Sequence, residues 1–191
     1  GIIPFSLTEI AADFVVSSTL KWLCGTPGAG IIQMRADLID EVKPELRGWF
    51  SQSNPFSWDL DAFEFAPDIR RLDSGTPSTV PAVASLPAMK WRMGQSTETL
   101  AAHNRKLTGQ LQAGLEEMGL TLASPSDPEQ RGGSLMVVLP EHIDAADVVA
   151  QLAALEIYVD NRSQILRMSP GVLTTTAGIE RTLQALRAFL L

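Results

Sequence analysis

The spacing of apolar positions is most regular in the middle of the chain. Leucine and methionine recur three, four or seven positions apart between Ser96 and Gly119, at Leu100, Leu107, Leu111, Leu115 and Met118. This spacing places the side chains on one face of an amphipathic helix, and a glycine just past the last turn is a common helix end. The pattern therefore predicts a long helix from Ser96 to Gly119.

Shorter apolar runs predict strands near the N-terminus. Residues 13–18 form a β-branched run typical of a buried strand, and residues 31–34 form a second run. The Gly- and Pro-containing segment between them predicts a loop. An Ala-rich segment predicts a helix that begins after Gly75-Thr76-Pro77 and continues to about Met89, in which Pro87 marks a kink or an end. Residues 48–67 hold six aromatic side chains without a period, which predicts an ordered loop that buries part of its surface.

The last third of the chain alternates between strand and helix patterns. The expected order is strand 134–139, helix 145–155, strand 157–160, strand 165–169 and helix 176–191. This order is typical of a small α/β layer structure. The preceding segment, 124–133, is polar and rich in Pro and Gly, which predicts a linker between a first region, 1–123, and a second, 124–191.

Composition limits the classes of function. The 191 residues are 45% apolar with a net charge of −7, and the fifteen Lys and Arg residues are scattered. This balance argues against general nucleic-acid binding. Because no apolar run approaches the roughly 20 residues of a membrane span, we expect no membrane partner. The single cysteine, Cys24, favours a reducing, cytoplasmic compartment. The start at Gly1, without a Met or a charged leader, predicts that the chain begins in the middle of a fold.

Lys21 is the first candidate for chemistry. It follows the first strand run, lies among Leu20, Trp22 and Leu23, and precedes the glycine-containing loop. Burial disfavours a charged ammonium and so favours the neutral amine that a Schiff-base lysine needs. The alternative is a lysine that extends from a strand end into solvent. The loop glycines match neither common phosphate-binding fingerprint.

Arg167 is the second candidate. It interrupts an apolar strand run, and a guanidinium can grip a carboxylate with two parallel hydrogen bonds, which suggests a ligand that carries an acid group. The alternative is a position on the solvent face of an edge strand. Asp160 and Arg162 can pair with each other or with Arg131. The two histidines, His103 and His142, lie at no metal-ligand spacing, so we expect no metal site.

Six segments together resemble one family in their order and spacing. They are similar to segments of class V aminotransferase-like enzymes, which use pyridoxal 5′-phosphate on the fold type I scaffold, and most closely to the kynureninase-like branch. The segments are residues 17–25, 48–50, 71–77, 131–134, 159–162 and 165–170. The resemblance implies an α/β fold: the C-terminal part of an aspartate-aminotransferase-like large domain in 1–123, including the long helix that links it to the next domain, and a small C-terminal domain in 124–191.

The resemblance also implies roles for individual residues. Lys21 would hold pyridoxal 5′-phosphate as a Schiff base, the internal aldimine, and later move the α-proton of an amino-acid substrate. Arg167 would bind the substrate α-carboxylate. Trp49 and Thr76 would reach the cofactor phosphate, and Ser18 is a weaker candidate for the same contact. Because the family often shares phosphate contacts between subunits, a homodimer is expected.

Departures from the family pattern refine the expected activity. The kynureninase-like branch usually has a tyrosine before the lysine, where this chain has Leu20. Residues 161–166 contain no cysteine, which argues against desulfuration. The aspartate that pairs with the pyridine nitrogen lies in the family upstream of the segment that this chain begins with. We therefore expect the C-terminal portion of a kynureninase-like hydrolase or class V aminotransferase, inactive without an N-terminal half. The alternative is a non-catalytic remnant that acts as an interaction module.

Overall fold

The computed structural model describes residues 1–59 and 61–190, which form two compact units. The N-terminal unit comprises residues 5–94. The C-terminal unit begins at residue 95 and includes residues 1–4. None of the helices in the described part of the chain is long and apolar enough to cross a membrane.

The N-terminal unit is built on one β-hairpin and one long helix. Helix α1 spans Leu7–Ile10, strand β1 spans Phe14–Ser18, strand β2 spans Gly30–Met34 and helix α2 spans Thr79–Met93. The two strands are antiparallel, with Phe14 opposite Met34 and Ser18 opposite Gly30. Among the described residues between β2 and α2, short 3₁₀ turns lie at Ala36–Leu38, Trp49–Ser51 and Ile69–Leu72.

Two predictions for this unit need correction. The strand at 13–18 exists, but it is exposed rather than buried, and Val16 is 73% exposed. The sheet consists of β1 and β2, and most residues on both strands are exposed. It therefore lacks the covering layers that bury the strands of a parallel sheet on both faces. Helix α2 continues through Pro87 to Met93 instead of ending near Met89, because one proline removes a single backbone hydrogen bond and the following turns supply their own.

The C-terminal unit is an antiparallel sheet with helices on one face. Its strands are β3 (Thr121–Leu122), β4 (Leu135–Val138), β5 (Asp160–Arg162) and β6 (Ile165–Met168), in the order β3-β4-β6-β5. Its helices are α3 (Thr97–Glu117), α4 (Ala145–Ala154) and α5 (Thr176–Leu190). Leu191, the expected last residue of α5, lies outside the described residues.

The long helix predicted from the apolar periodicity is confirmed as α3, and local sequence signals account for both of its ends. Ser96 caps its N-terminus, because its hydroxyl accepts a hydrogen bond from the Thr99 backbone nitrogen at 3.2 Å. At the other end, Gly119 has a φ of 72° and its nitrogen bonds to the Glu116 carbonyl. Both ends therefore follow from local sequence signals.

The strand expected at 157–160 forms later, at Asp160–Arg162. The residues after α4 are used to end that helix: Glu156 has a φ of 58°, and the Ile157 nitrogen bonds to the Leu152 carbonyl at 2.9 Å. This left-handed cap satisfies the helix carbonyls. The chain can therefore join the sheet only after the cap is complete.

The core of the C-terminal unit lies between the sheet and its helices. Alternate strand residues point into it, so Leu135, Val137, Leu166 and Met168 are buried against leucines of α3, α4 and α5. The polar segment 124–133 belongs to this same unit, with Ser124 and Arg131 buried. The expected boundary at 123/124, between the large domain and the small domain that the family resemblance implies, stays a prediction.

Truncation of Leu166 should destabilise the C-terminal unit. Leu166 is fully buried, so Leu166→Ala leaves a cavity and lowers the free energy of unfolding by about 3 kcal/mol. The neighbouring Ile165 lies on the opposite, half-exposed face, and Ile165→Ala should cost less than about half as much. Urea unfolding of both variants measures the difference, and equal losses would contradict this assignment of the sheet faces.

Candidate functional site

The loop that carries Lys21 is closed at its base by Thr19. Residues 19–29 connect β1 to β2, and the Thr19 nitrogen donates to the Ala29 carbonyl at 3.2 Å. The buried Thr19 hydroxyl lies 3.0 Å from the carbonyls of both Thr26 and Ala29. The Gly25 nitrogen in turn donates to the Thr19 carbonyl at 2.7 Å. These bonds fix the path of the loop on both sides of Lys21.

Helix α2 braces the same loop through Ser85. The Ser85 hydroxyl accepts a hydrogen bond from the Thr26 nitrogen at 3.0 Å and lies 2.8 Å from the Pro81 carbonyl, to which it can donate. A β-carbon at Gly25 would lie 2.7 Å from the Thr19 β-carbon and 2.9 Å from the Ser85 oxygen. Glycine is therefore required at this position, because the close approach leaves no room for a side chain.

Loss of the Ser85 hydroxyl should loosen this brace. Ser85→Ala leaves the part-buried Thr26 nitrogen without its partner, which should lower the free energy of unfolding by about 2 kcal/mol. Ser78→Ala is the matched control, because Ser78 precedes α2 without making a side-chain capping bond. Thermal or urea unfolding of the two variants should show a loss for Ser85→Ala only. Equal stability of the two variants would contradict the bracing role.

Lys21 itself is exposed, which contradicts the burial inferred from its apolar neighbours and agrees with the alternative of a lysine that extends into solvent. Its carbonyl accepts a hydrogen bond from the Cys24 nitrogen at 3.0 Å, and Cys24 adopts a φ of 57°. Lys21 thus begins a tight turn, and its side chain is exposed. Among the described residues its amine makes no ion pair or hydrogen bond, so it is an accessible primary amine on a braced turn.

The structure brings together the segments that contain Trp49 and Thr76. A β-carbon at Gly48 would collide with the backbone carbonyl of Ser74, so the two segments are in direct contact. The Ser51 hydroxyl joins them, since it lies 3.1 Å from the Gly48 nitrogen and donates to the Asp73 carbonyl at 2.7 Å. Two separate sequence motifs therefore form one surface of the N-terminal unit.

Buried Arg71 holds together loops of the same unit through hydrogen bonds to backbone carbonyls. Its guanidinium donates to the carbonyls of Ala66, at 3.0 Å, and of Ile39 and Val42, and it lies 5.8 Å from the centre of the Phe65 ring. One side chain thus ties two loop segments together. Sequence patterns gave no sign of this role, because the hydrogen-bond partners are backbone carbonyls up to 32 residues away, and the ion pair with the exposed Asp40 carboxylate, at 3.5 Å, spans a similar separation.

The aromatic loop is ordered through ring contacts but stays partly exposed. Trp49 packs edge to face on Phe50 and Phe56 at centroid distances of 4.6 and 5.9 Å. Trp49 is 43% exposed and Trp58 is 87% exposed. Thr76 is also exposed, and neither its hydroxyl nor the Trp49 indole nitrogen has a hydrogen-bond partner among the described residues. Ser18 accepts a bond from the Leu20 nitrogen at 3.1 Å.

Arg167 lies in the C-terminal unit, on the face of the sheet opposite the core. Strand β6 is a central strand, so the edge-strand part of the alternative is wrong, whereas its solvent-face part agrees with the structure. Arg167 stands opposite Met136 on β4 and Asp160 on β5. Its Nε and Nη2 atoms donate to the two carboxylate oxygens of Asp160, the first at 2.8 Å. These bonds raise the pKa of the Arg167 guanidinium, which therefore stays charged.

The main partner of Asp160 is therefore Arg167. The expected pairing with Arg162 is present only as a longer contact of 3.8 Å, and Arg131 instead donates to Gln112 and Pro125. A two-residue turn at 163–164 closes the hairpin, and it places Asp160 opposite Arg167. The spacing of these residues around a turn was the sequence signal that could have identified the pair.

The expected site residues are thus distributed over the two units. Lys21 and Ser18 belong to the β1–β2 hairpin region, Trp49 and Thr76 to the contacting segments of the same unit, and Arg167 to the C-terminal unit. Within residues 1–59 and 61–190, no group of three or more His, Cys, Asp or Glu side chains could hold a metal ion.

Comparison with known families shows to which family this chain belongs. Residues 1–181 match the sequence profile of the family described as Aminotransferase class-V. The chain belongs to this family. The resemblance of the six segments is therefore confirmed, and it extends over nearly the whole chain.

The curated relatives include several activities. Isopenicillin N epimerase from Streptomyces clavuligerus is 28% identical over 98% of this chain and 50% of its own length. A kynureninase from Monosiga brevicollis is 31% identical over 92% of this chain and 40% of its own length. The chain therefore spans about half the length of the curated relatives that it matches.

Solved structures share the fold. The apo structure of a cysteine desulfurase from Thermococcus onnurineus NA1 matches 99% of this chain and 50% of its own, with a TM-score of 0.88 and 19% identity. The cystine C-S lyase C-DES, in a structure of a mutant with glycine covalently linked to its PLP cofactor, matches 98% of this chain with a TM-score of 0.85 and 18% identity. The α/β fold type I is confirmed, and pyridoxal 5′-phosphate is confirmed as a cofactor at the level of the family.

Proposed function

We propose that this chain is the C-terminal portion of a pyridoxal-phosphate-dependent enzyme that acts on amino acids. The observation that carries the proposal is Lys21, an accessible amine on a loop that Thr19 and Ser85 hold in place. A covalent cofactor bond needs an amine that the cofactor can reach, on a backbone that is held in place. Family membership supports the same assignment.

The residues present fit the cofactor. Pyridoxal phosphate, when bound, withdraws electrons from the substrate α-carbon. The Lys21 Nζ atom would bond to the cofactor and later accept and return a proton. Trp49 and Thr76 would donate hydrogen bonds to its phosphate, and Ser18 is a further donor. Helix α2 supports this assignment, because it begins three residues after Thr76 with no side-chain cap and no acidic residue in its first turn.

Arg167 would bind the substrate α-carboxylate. It is held in a defined orientation on an open sheet face, is 38% exposed and stays charged. A permanently charged, planar guanidinium is well suited to a carboxylate. We propose an amino acid with a free α-carboxylate as the substrate. For the whole protein, the kynureninase relative supports a kynureninase-like hydrolase, and the family description supports a class V aminotransferase.

Exposed apolar surface supports a larger assembly. The N-terminal unit exposes large apolar side chains on its strands and on α2, namely Phe14, Val16, Ile31, Ile32, Val80, Val83, Leu86 and Trp91. Apolar surface of this extent marks interaction sites in soluble proteins. Together with the half-length match, this supports packing against an N-terminal half within a homodimer. The single Cys24 supports a cytoplasmic location.

Reconstitution with the cofactor tests the proposal. Protein purified from its source, with any further segment or partner chain retained, is mixed with pyridoxal phosphate and its visible absorbance recorded. We expect a new band that amino acids perturb and that amines lacking the carboxylate perturb much less. If the protein folds but produces no band, the alternative of a non-catalytic interaction module is favoured.

A further inference from the structure

The Arg167 guanidinium presents two edges that can each bind a carboxylate. The side edge consists of Nε and Nη2, and the end edge consists of Nη1 and Nη2. Asp160 occupies the side edge with both carboxylate oxygens. In the described part of the chain, the Nη1 atom donates no hydrogen bond. The end edge is therefore available to a second carboxylate.

The register of the sheet fixes this arrangement. Asp160 and Arg167 are direct cross-strand neighbours on β5 and β6, and Met136 on β4 stands on the other side of Arg167. Met136 offers no charge or strong hydrogen-bonding group. Asp160 is thus the acidic side chain that sets the plane of the guanidinium, since the described residues give Arg167 no second ion-pair partner.

We infer that Asp160 is a positioning residue for substrate recognition: it holds the side edge of Arg167 so that the end edge receives the substrate α-carboxylate. This inference rests on the proposed function. A long, flexible arginine loses rotamer freedom when it binds a ligand, and the pair with Asp160 removes that freedom beforehand. The bidentate pair with Asp160 also fixes the plane of the guanidinium, in which the second carboxylate must lie.

The competing role for Asp160 makes an opposite prediction. If Asp160 occupied the edge that the substrate needs, the substrate would have to displace it, and removal of its charge would strengthen substrate binding. A positioning role predicts weaker binding when the charge is removed. The direction of the change therefore separates the two roles.

Asp160→Asn tests the inference. Asparagine retains one oxygen for Nε but places an amide NH₂ group beside Nη2, so the guanidinium is no longer held in its plane. We expect apparent affinity for the amino-acid substrate to fall about tenfold, the effect of losing one charge-assisted hydrogen bond. The measurement is an equilibrium titration of the cofactor absorbance. Tighter or unchanged binding overturns the inference.

A second readout separates positioning from a general structural effect. Binding of the amino acid is compared with binding of its methyl ester, which lacks the anionic carboxylate. Asp160→Asn should reduce the preference for the acid about tenfold, whereas a structural defect would weaken both ligands equally and overturn the inference. Asp160→Glu, which restores the charge, should recover part of the preference.

Arg162→Gln is the matched control. Arg162 approaches Asp160 only to 3.8 Å and its side chain is 71% exposed, so its loss should change the affinity less than about twofold. The cofactor band distinguishes the possible failures. A wild-type protein without a Lys21-dependent band refutes the proposed function, whereas an intact band with an unchanged acid preference in Asp160→Asn refutes only the role of Asp160.

Discussion

Lys21→Ala should abolish covalent attachment of pyridoxal phosphate. Alanine has no amine, and the backbone turn at Lys21 is held by the Cys24 nitrogen and by the Thr19 contacts, which do not involve the lysine side chain. The variant should therefore fold normally. We expect complete loss of the visible band, and loss of the cofactor mass that borohydride reduction fixes to the wild-type protein.

Lys43→Ala provides the control for this experiment. Lys43 is an exposed lysine of the same unit, and it should retain the band if attachment is specific. Unfolding measurements on both variants should agree within about 0.5 kcal/mol, as expected for exposed substitutions. A band that survives Lys21→Ala would refute the assignment of Lys21.

Gly48→Ala should disrupt the surface that we propose for the cofactor phosphate. Gly48 has a φ of −141°, an extended conformation that alanine adopts without strain. The effect therefore comes from the collision of the new β-carbon with the backbone carbonyl of Ser74. Because a backbone atom cannot move aside as a side chain does, we expect a cost of about 3 kcal/mol. If the two segments are displaced while the protein stays folded, the same free energy is lost from cofactor binding, and the affinity falls about 100-fold.

The control for the Gly48 experiment is Gly75→Ala. A β-carbon at Gly75 meets no atom within 4 Å, so its free energy of unfolding should stay within about 0.5 kcal/mol of the wild type. Calorimetry of cofactor binding and urea unfolding measure the Gly48→Ala effect. Wild-type affinity and stability in Gly48→Ala would show that the two segments do not depend on their contact.

Local signals in the sequence predicted the elements that local interactions determine. Helix α3 has a regular apolar stripe, a serine cap and a glycine end, so its position followed from residues within a few turns of each other. The burial of β1 could not be predicted in the same way. Burial depends on what covers a strand, and a β-branched run is compatible with either a covered or an open face.

The site shows the same division between local and distant information. Lys21 and Arg167 became candidates through their residue type and apolar neighbours, and the resemblance to the family gave them roles that stay predictions. The groups that hold them were missed or left open: Ser85 lies 59 residues from Thr26, and the partner of Asp160 depends on the strand register. Sequence patterns identify reactive groups more readily than the residues that orient them, because orientation arises from tertiary contacts.

The most direct test of the central claim is to locate the cofactor on the chain. The protein purified from its source is incubated with pyridoxal phosphate, reduced with borohydride, digested and analysed by mass spectrometry. The chain contains four lysines, Lys21, Lys43, Lys90 and Lys106. We expect the pyridoxyl modification on the peptide that contains Lys21. Modification spread over the other lysines, or absent from all four, would contradict the account.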